Sequence, residues 1–126
     1  MNNNITIKTS DGNTDYNLAV NFMQDYVNQI LNKSEQELIW FLNHDHIYTC
    51  GTSANKNEIL KQTNIPVIKT NRGGKTTYHG PGQRIVYLMI NLNKRKKDIR
   101  QFINLIENSI INLLKEFNIE SNTYPD

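Results

Sequence analysis

Residues 72 to 83 read RGGKTTYHGPGQ. Four of the chain's six glycines and one of its three prolines fall within these twelve residues, around an arginine, a tyrosine and a histidine. Glycine concentrated after an apolar run usually announces either a phosphate cradle or a turn. The strict P-loop pattern needs a glycine five residues before Gly74, where Lys69 stands. The dinucleotide fingerprint fails as well, because Gly80 and Gly82 would need a third glycine where Ile85 stands. Both motifs also lead into a helix N-terminus, whereas RIVYLMINL, 84 to 92, is β-rich. Two readings remain. One is a hairpin connection whose glycines supply positive φ. The other is a loop in which bare backbone approaches a ligand and donates N–H groups to it. In the second, Tyr78 and His79 add an amphipathic wall and a titratable group, and Arg72 a rigid cationic fork.

Working outward, the flanks predict alternating strands and helices. NITIK, 4 to 8, reads as a first strand closed by the turn signal SDG. From Thr14 to Asn32, Ala19, Phe22, Met23, Tyr26, Val27 and Ile30 keep helical spacing. ELIWFLNH, 37 to 44, is a buried strand that IYTCG, 47 to 51, either prolongs or follows with a new one. A short helix is expected over 55 to 62, a strand over 65 to 70, and a long strand over 84 to 92. Asp98 with Gln101 resembles a capping box opening a helix to about Asn118. Its stripe is Ile99, Phe102, Ile103, Ile106, Ile110, Leu113, Leu114 and Phe117, read as a core face. The fold class that follows is α/β (α+β), a mixed sheet with packed helices in one domain. IESNTYPD, 119 to 126, looks like the approach to another strand, so the domain is expected to be truncated there.

Bulk properties narrow the function classes. At 126 residues the chain makes one domain at most. A net charge of +2 is too mild for a nucleic-acid protein. The single Cys50 excludes an internal disulfide and fits a reducing cytosol, and MNNNITIKTS has no signal-peptide pattern. No run approaches 18 apolar residues, which argues against a membrane-spanning helix. His44, His46, Cys50 and His79 match no trusted tetrahedral zinc spacing, so neither metal nor cofactor is expected. Cys50, alone in an apolar strand, reads as a small core residue.

The twelve-residue stretch resembles the RGG-x-x-TYHGPGQ signature of octanoyltransferases, the acyl-carrier-protein-dependent enzymes of lipoate synthesis. NHDHIYTCG, 43 to 51, is similar to the family's histidine-containing strand running into a glycine, with His44 on the matching histidine and His46 a departure. NIPVIKTNRGG and VYLMINLNKRK fit the flanks, so the resemblance covers essentially the whole chain but only the N-terminal part of the family's domain. It implies the fold of biotin and lipoate protein ligases. It also implies a cytoplasmic acyltransferase that moves octanoyl from acyl carrier protein to a lysine of lipoyl domains and of the glycine-cleavage H protein. The family's substrate-binding stretch maps onto Arg72, Gly73, Gly74, Lys75, Thr76, Thr77, Tyr78 and His79. Its cysteine nucleophile and lysine fall beyond Asp126, so no catalytic residue is carried over. A remnant that binds acyl chain or carrier protein without chemistry is the second class of function, and an adenylate-forming ligase the third. KRKK, 94 to 97, with Arg100, is either a solvated loop or a docking patch for the acidic carrier protein.

Overall fold

A computed structural model describes residues 4–124. They divide between Ile90 and Asn91 into two compact units.

The first unit holds two mixed three-stranded sheets and one long helix. One sheet has the order β1 (Ile5–Asn13), β2 (Glu37–Asn43), β6 (Ile85–Met89), with β1 parallel and β6 antiparallel to the central β2. The other has the order β4 (Val67–Lys69), β3 (Ile47–Cys50), β5 (Thr76–His79), again one parallel and one antiparallel pair. Helix α1 (Tyr16–Leu31) starts at Asp15, whose carboxylate accepts the Leu18 N–H at 2.9 Å. Its buried Ala19 and Ile30 pack with Leu38, Trp40 and Leu42 of β2 and Met89 of β6, and Phe22, Met23, Tyr26, Ile85 and Tyr87 close the edges. Alternation explains the choice: Leu38, Trp40, Leu42 and then His44 share one face of β2 and all are buried. The mixed α/β class is therefore as the sequence predicts.

Four local expectations change. The SDG segment does not close β1. The strand continues to Asn13 through a register shift, with Gly12 at φ +66° and Ser10 Oγ accepting the Trp40 indole N–H at 2.9 Å. That anchor outweighs the local turn signal. The helix expected at 55 to 62 is only a 3₁₀ turn, Lys56–Glu58, capped by the Asn55 side chain. The strand expected over 84 to 92 stops at Met89, and Asn91 instead caps a second 3₁₀ turn, Leu92–Lys94. Finally, 76 to 79 is a strand within the glycine-rich stretch.

The second unit contains that 3₁₀ turn and helix α2 (Ile99–Glu116), whose N-cap Asp98 accepts the Gln101 N–H at 2.9 Å. The expectation of a core face on α2 is not met. None of its residues is buried, and Ile99, Ile103, Ile110 and Leu113 are exposed. A unit of one helix and one turn has no second apolar surface of its own to bury them. Residues 119 to 124, expected to approach a strand, have no regular structure, and 125 and 126 lie outside the described residues. Among the described residues no helix is long and apolar enough to cross a membrane.

Candidate functional site

The glycine-rich loop folds onto the end of β3. Gly51 N–H donates to Lys75 O at 3.3 Å, Thr52 N–H to Arg72 O at 2.9 Å and Ser53 N–H to Gly74 O at 3.1 Å. Arg72 Nη1 donates to Gly73 O at 2.9 Å. All four carbonyls of residues 72–75 are thereby occupied. The N–H groups of Gly73, Gly74 and Lys75 have no acceptor among the described residues. Gly74 stands at φ +85°, a conformation that requires glycine, and reverses the chain there. Successive backbone N–H groups left unpaired at a turn are groups that an anion or a polarised oxygen can engage.

Arg72 is a staple under this loop. Its Nη2 donates to Thr49 O at 2.7 Å, Thr49 Oγ1 at 2.8 Å and Thr77 Oγ1 at 2.8 Å, while Nη1 holds Gly73. Thr49 is fully buried, so the fork reaches into the sheet. Thr49 lies opposite Thr77 in the β3–β5 register, and their hydroxyls are 2.8 Å apart. On the other face of the same pair, Cys50 lies opposite Thr76, whose hydroxyl approaches the sulfur at 3.4 Å. Cys50 is only half-buried and lies across the sheet from the Arg72 side. Glu58 accepts the Thr76 N–H at 2.8 Å, and hydrogen bonding by the Thr76 side chain first, then by this N–H, holds its carboxyl below the ordinary value.

Two aromatic groups flank the loop. Tyr78 hydrogen-bonds His46 Nδ1 and lies beside Tyr48. Its ring covers Gly80 so closely that a methyl group there would strike the phenol. His79, two residues after Thr77 and on the same face of β5, meets the rings of His44 at 5.9 Å and Tyr16 at 6.3 Å. Tyr16 comes from the first turn of α1, His44 from the position just after β2 and Tyr87 from β6. The junction of the two sheets thus gathers residues scattered along the chain.

Their protonation states follow from geometry. His44 Nδ1 is 2.6 Å from Thr14 O, a carbonyl that only accepts, so Nδ1 carries the hydrogen. The Nε2 lone pair then accepts from the Tyr87 hydroxyl at 2.8 Å. Burial, with Tyr16 nearby, pushes the Tyr87 phenol up to about 12, so it remains a donor. Burial first, then His44 and Arg72, hold His79 below its ordinary value of 6.5.

Of the sequence-derived candidates, Arg72, Gly73, Gly74 and Lys75 form the loop, and Thr76, Thr77, Tyr78 and His79 form the strand leaving it. Thr76 and Tyr78 alternate with Thr77 and His79, so the stretch presents two faces. Sequence reasoning did not find Tyr16 and Tyr87. Each reads as one more apolar position in its element, and no spacing in the chain pairs it with His44.

Comparison with known proteins places these features in context. Residues 15–125 match the family model for the lipoyl protein ligase A/B catalytic domain. The chain is 48% identical over 119 residues to an octanoyltransferase of Bartonella bacilliformis, covering 94% of this chain and 49% of that protein. It is 53% identical over 106 residues to one of Wolbachia pipientis wMel, covering 83% and 51%. Identity with one from Zymomonas mobilis is 43% over 119 residues, covering 94% and 55%. The chain spans about half the length of the curated relatives it matches.

Proposed function

The chain belongs to the lipoyl protein ligase A/B catalytic domain family, and on that premise we propose that it binds an octanoyl thioester and takes part in octanoyl transfer. The donor in this reading is octanoyl-acyl carrier protein, and the acceptor a lysine of lipoyl domains or of the glycine-cleavage H protein, in the cytoplasm. The observation that carries the proposal is the row of unoccupied N–H groups at Gly73, Gly74 and Lys75. A thioester carbonyl gains negative charge on its oxygen when a nucleophile attacks. Donors already fixed by Arg72 and the 51–53 backbone stabilise that charge without reorganising. None of the chain's residues is assigned the nucleophile's role. Cys50 is unsuited to it, because its sulfur lies on the opposite face of β3 from Thr49 and Arg72.

The test exploits Gly73, where an added side chain meets open space. Gly73→Ala keeps the N–H and should bind an octanoyl thioester nearly as the parent does. Gly73→Pro removes the N–H and should weaken binding roughly tenfold, the loss of one hydrogen bond to a charged or strongly polar acceptor. Equal binding by the two variants would defeat the reading.

The carrier-protein half of the proposal draws on KRKK. Lys94 ends the second 3₁₀ turn, and the rest of the run leads to the N-cap of α2. Reversing Lys94, Arg95 and Lys96 to glutamate should slow association with acyl carrier protein about tenfold at low salt and abolish its salt dependence. Stopped-flow rates that do not change at low salt would place docking elsewhere.

A further inference from the structure

His79 is a histidine whose two nitrogens face different worlds. Nδ1 is buried and has no hydrogen-bond partner. Nε2 also has no partner among the described residues, yet it is not one of the buried unpaired atoms, so it is open to solvent. A neutral imidazole carries one hydrogen and one lone pair. A buried N–H without an acceptor costs more than a buried lone pair without a donor, so the hydrogen belongs on Nε2. The groups around the ring favour the neutral form. Tyr16 of α1 brings no negative charge, the His44 ring is at 5.9 Å, and the Arg72 guanidinium repels a proton.

We propose that His79 contributes its neutral Nε2–H as a hydrogen-bond donor to the carbonyl oxygen of the bound acyl thioester. This rests on the acyl-transfer reading above and deepens it by naming an atom and a tautomer. The proton stays on Nε2 throughout; the ring polarises the carbonyl and neither gives up nor takes a proton. A neutral imidazole suits this role because it can donate and keep its hydrogen as charge gathers on the oxygen. The arrangement also accounts for His44. Locked by Thr14 O and Tyr87, it has no hydrogen left to offer, and its ring edge positions His79.

The sign of the pH effect follows from the lowered pKa of His79. The unfolded chain takes up a proton near 6.5 where the folded ring still refuses it. Stability should therefore fall as pH drops below 6.5, and His79→Gln should remove that component.

The decisive experiment is NMR on the 126-residue chain with ¹⁵N-labelled histidine, titrated with S-octanoyl-N-acetylcysteamine. At pH 7 His79 should be neutral and protonated on Nε2, and the probe should shift Nε2 while His44 stays put. His79→Gln, whose amide nitrogen falls near the Nε2 position, should hold affinity close to the parent's. His79→Asn, which mimics Nδ1, should lose roughly tenfold. A ring protonated on Nδ1, a cationic ring at pH 7, or equal loss in both variants overturns the inference. So does a probe that shifts the amides of 73–75 and leaves His79 Nε2 unmoved, a result that keeps the acyl-binding reading intact. Absence of any binding removes both.

Discussion

Gly51→Ala is expected to destabilise the protein by about 3 kcal/mol and to abolish binding of an octanoyl thioester. Gly51 is buried where β3 meets the glycine-rich loop. A Cβ there would lie 2.6 Å from Gly73 O and 2.9 Å from Arg72 Nη1, and nearer still to Gly74 O. The two oxygens are backbone, and Gly74 O already accepts Ser53 N–H. Neither can withdraw without breaking the contacts that set the loop. Its φ lies outside the left-handed region, so the effect is one of space alone. Urea denaturation of the chain measures it. A loss below 1 kcal/mol with binding preserved would mean that the loop slides freely over β3. Gly73→Ala, with nothing near its added carbon, is the matched control.

The second large effect is expected at Arg72. Arg72→Ala removes four hydrogen bonds at once and leaves the buried Thr49 without its charged partner. With hydrogen bonds to charged groups each contributing roughly 1.5 to 3 kcal/mol in favourable cases, and solvent screening one side of the partly exposed guanidinium, a loss of about 3 kcal/mol is expected. Arg72→Lys should recover less than half of it. An ammonium keeps the charge but cannot reach Gly73 O and the Thr49–Thr77 pair together. Hydrogen exchange at Thr52 and Ser53, whose N–H groups bind the loop carbonyls, should accelerate in both variants. Full recovery by lysine would show that charge, and not the fork, holds the loop.

The two expectations have a common origin in how the loop uses its polar groups. Its carbonyls are engaged by Gly51, Thr52, Ser53 and Arg72, while the N–H groups of Gly73, Gly74 and Lys75 have no acceptor among the described residues. A loop held by its own N–H groups would offer a ligand only acceptors, which suit a cation and repel a thioester oxygen. Which way the peptide planes face is thus the feature that connects Arg72 and Gly51 to the acyl binding proposed above.

How much of this was legible beforehand differs from residue to residue. Composition alone singled out 72 to 83, because four glycines in twelve residues signal a chain path that side chains would block. Local chemistry also served well at the start of α2, where Asp98 caps by accepting the Gln101 N–H; the matching cap of α1 by Asp15 came only from the structure. A continuous apolar run placed β2, while the structure decided which of its faces is buried. That run could not decide whether 47 to 51 continues β2. In fact β3 turns away to centre the second sheet, between β4 and β5. TTYH carries ordinary strand residues, but its glycine neighbours hide them, and only pairing with β3 makes it a strand.

What the sequence by itself determined is therefore local: the glycine turn, the two helices with the cap at Asp98, the apolar strands, and a signature specific enough to point to one family. These depend on residues within a few positions of each other, where spacing and backbone preference carry the information. Only the tertiary structure decided what Arg72 holds, which nitrogen of His44 is protonated, and that Tyr16, His44, His79 and Tyr87 meet at the junction of two sheets. The His44–Tyr87 hydrogen bond spans 43 residues of sequence. No periodicity encodes such a pairing, because it exists only once β2 and β6 align and α1 covers them.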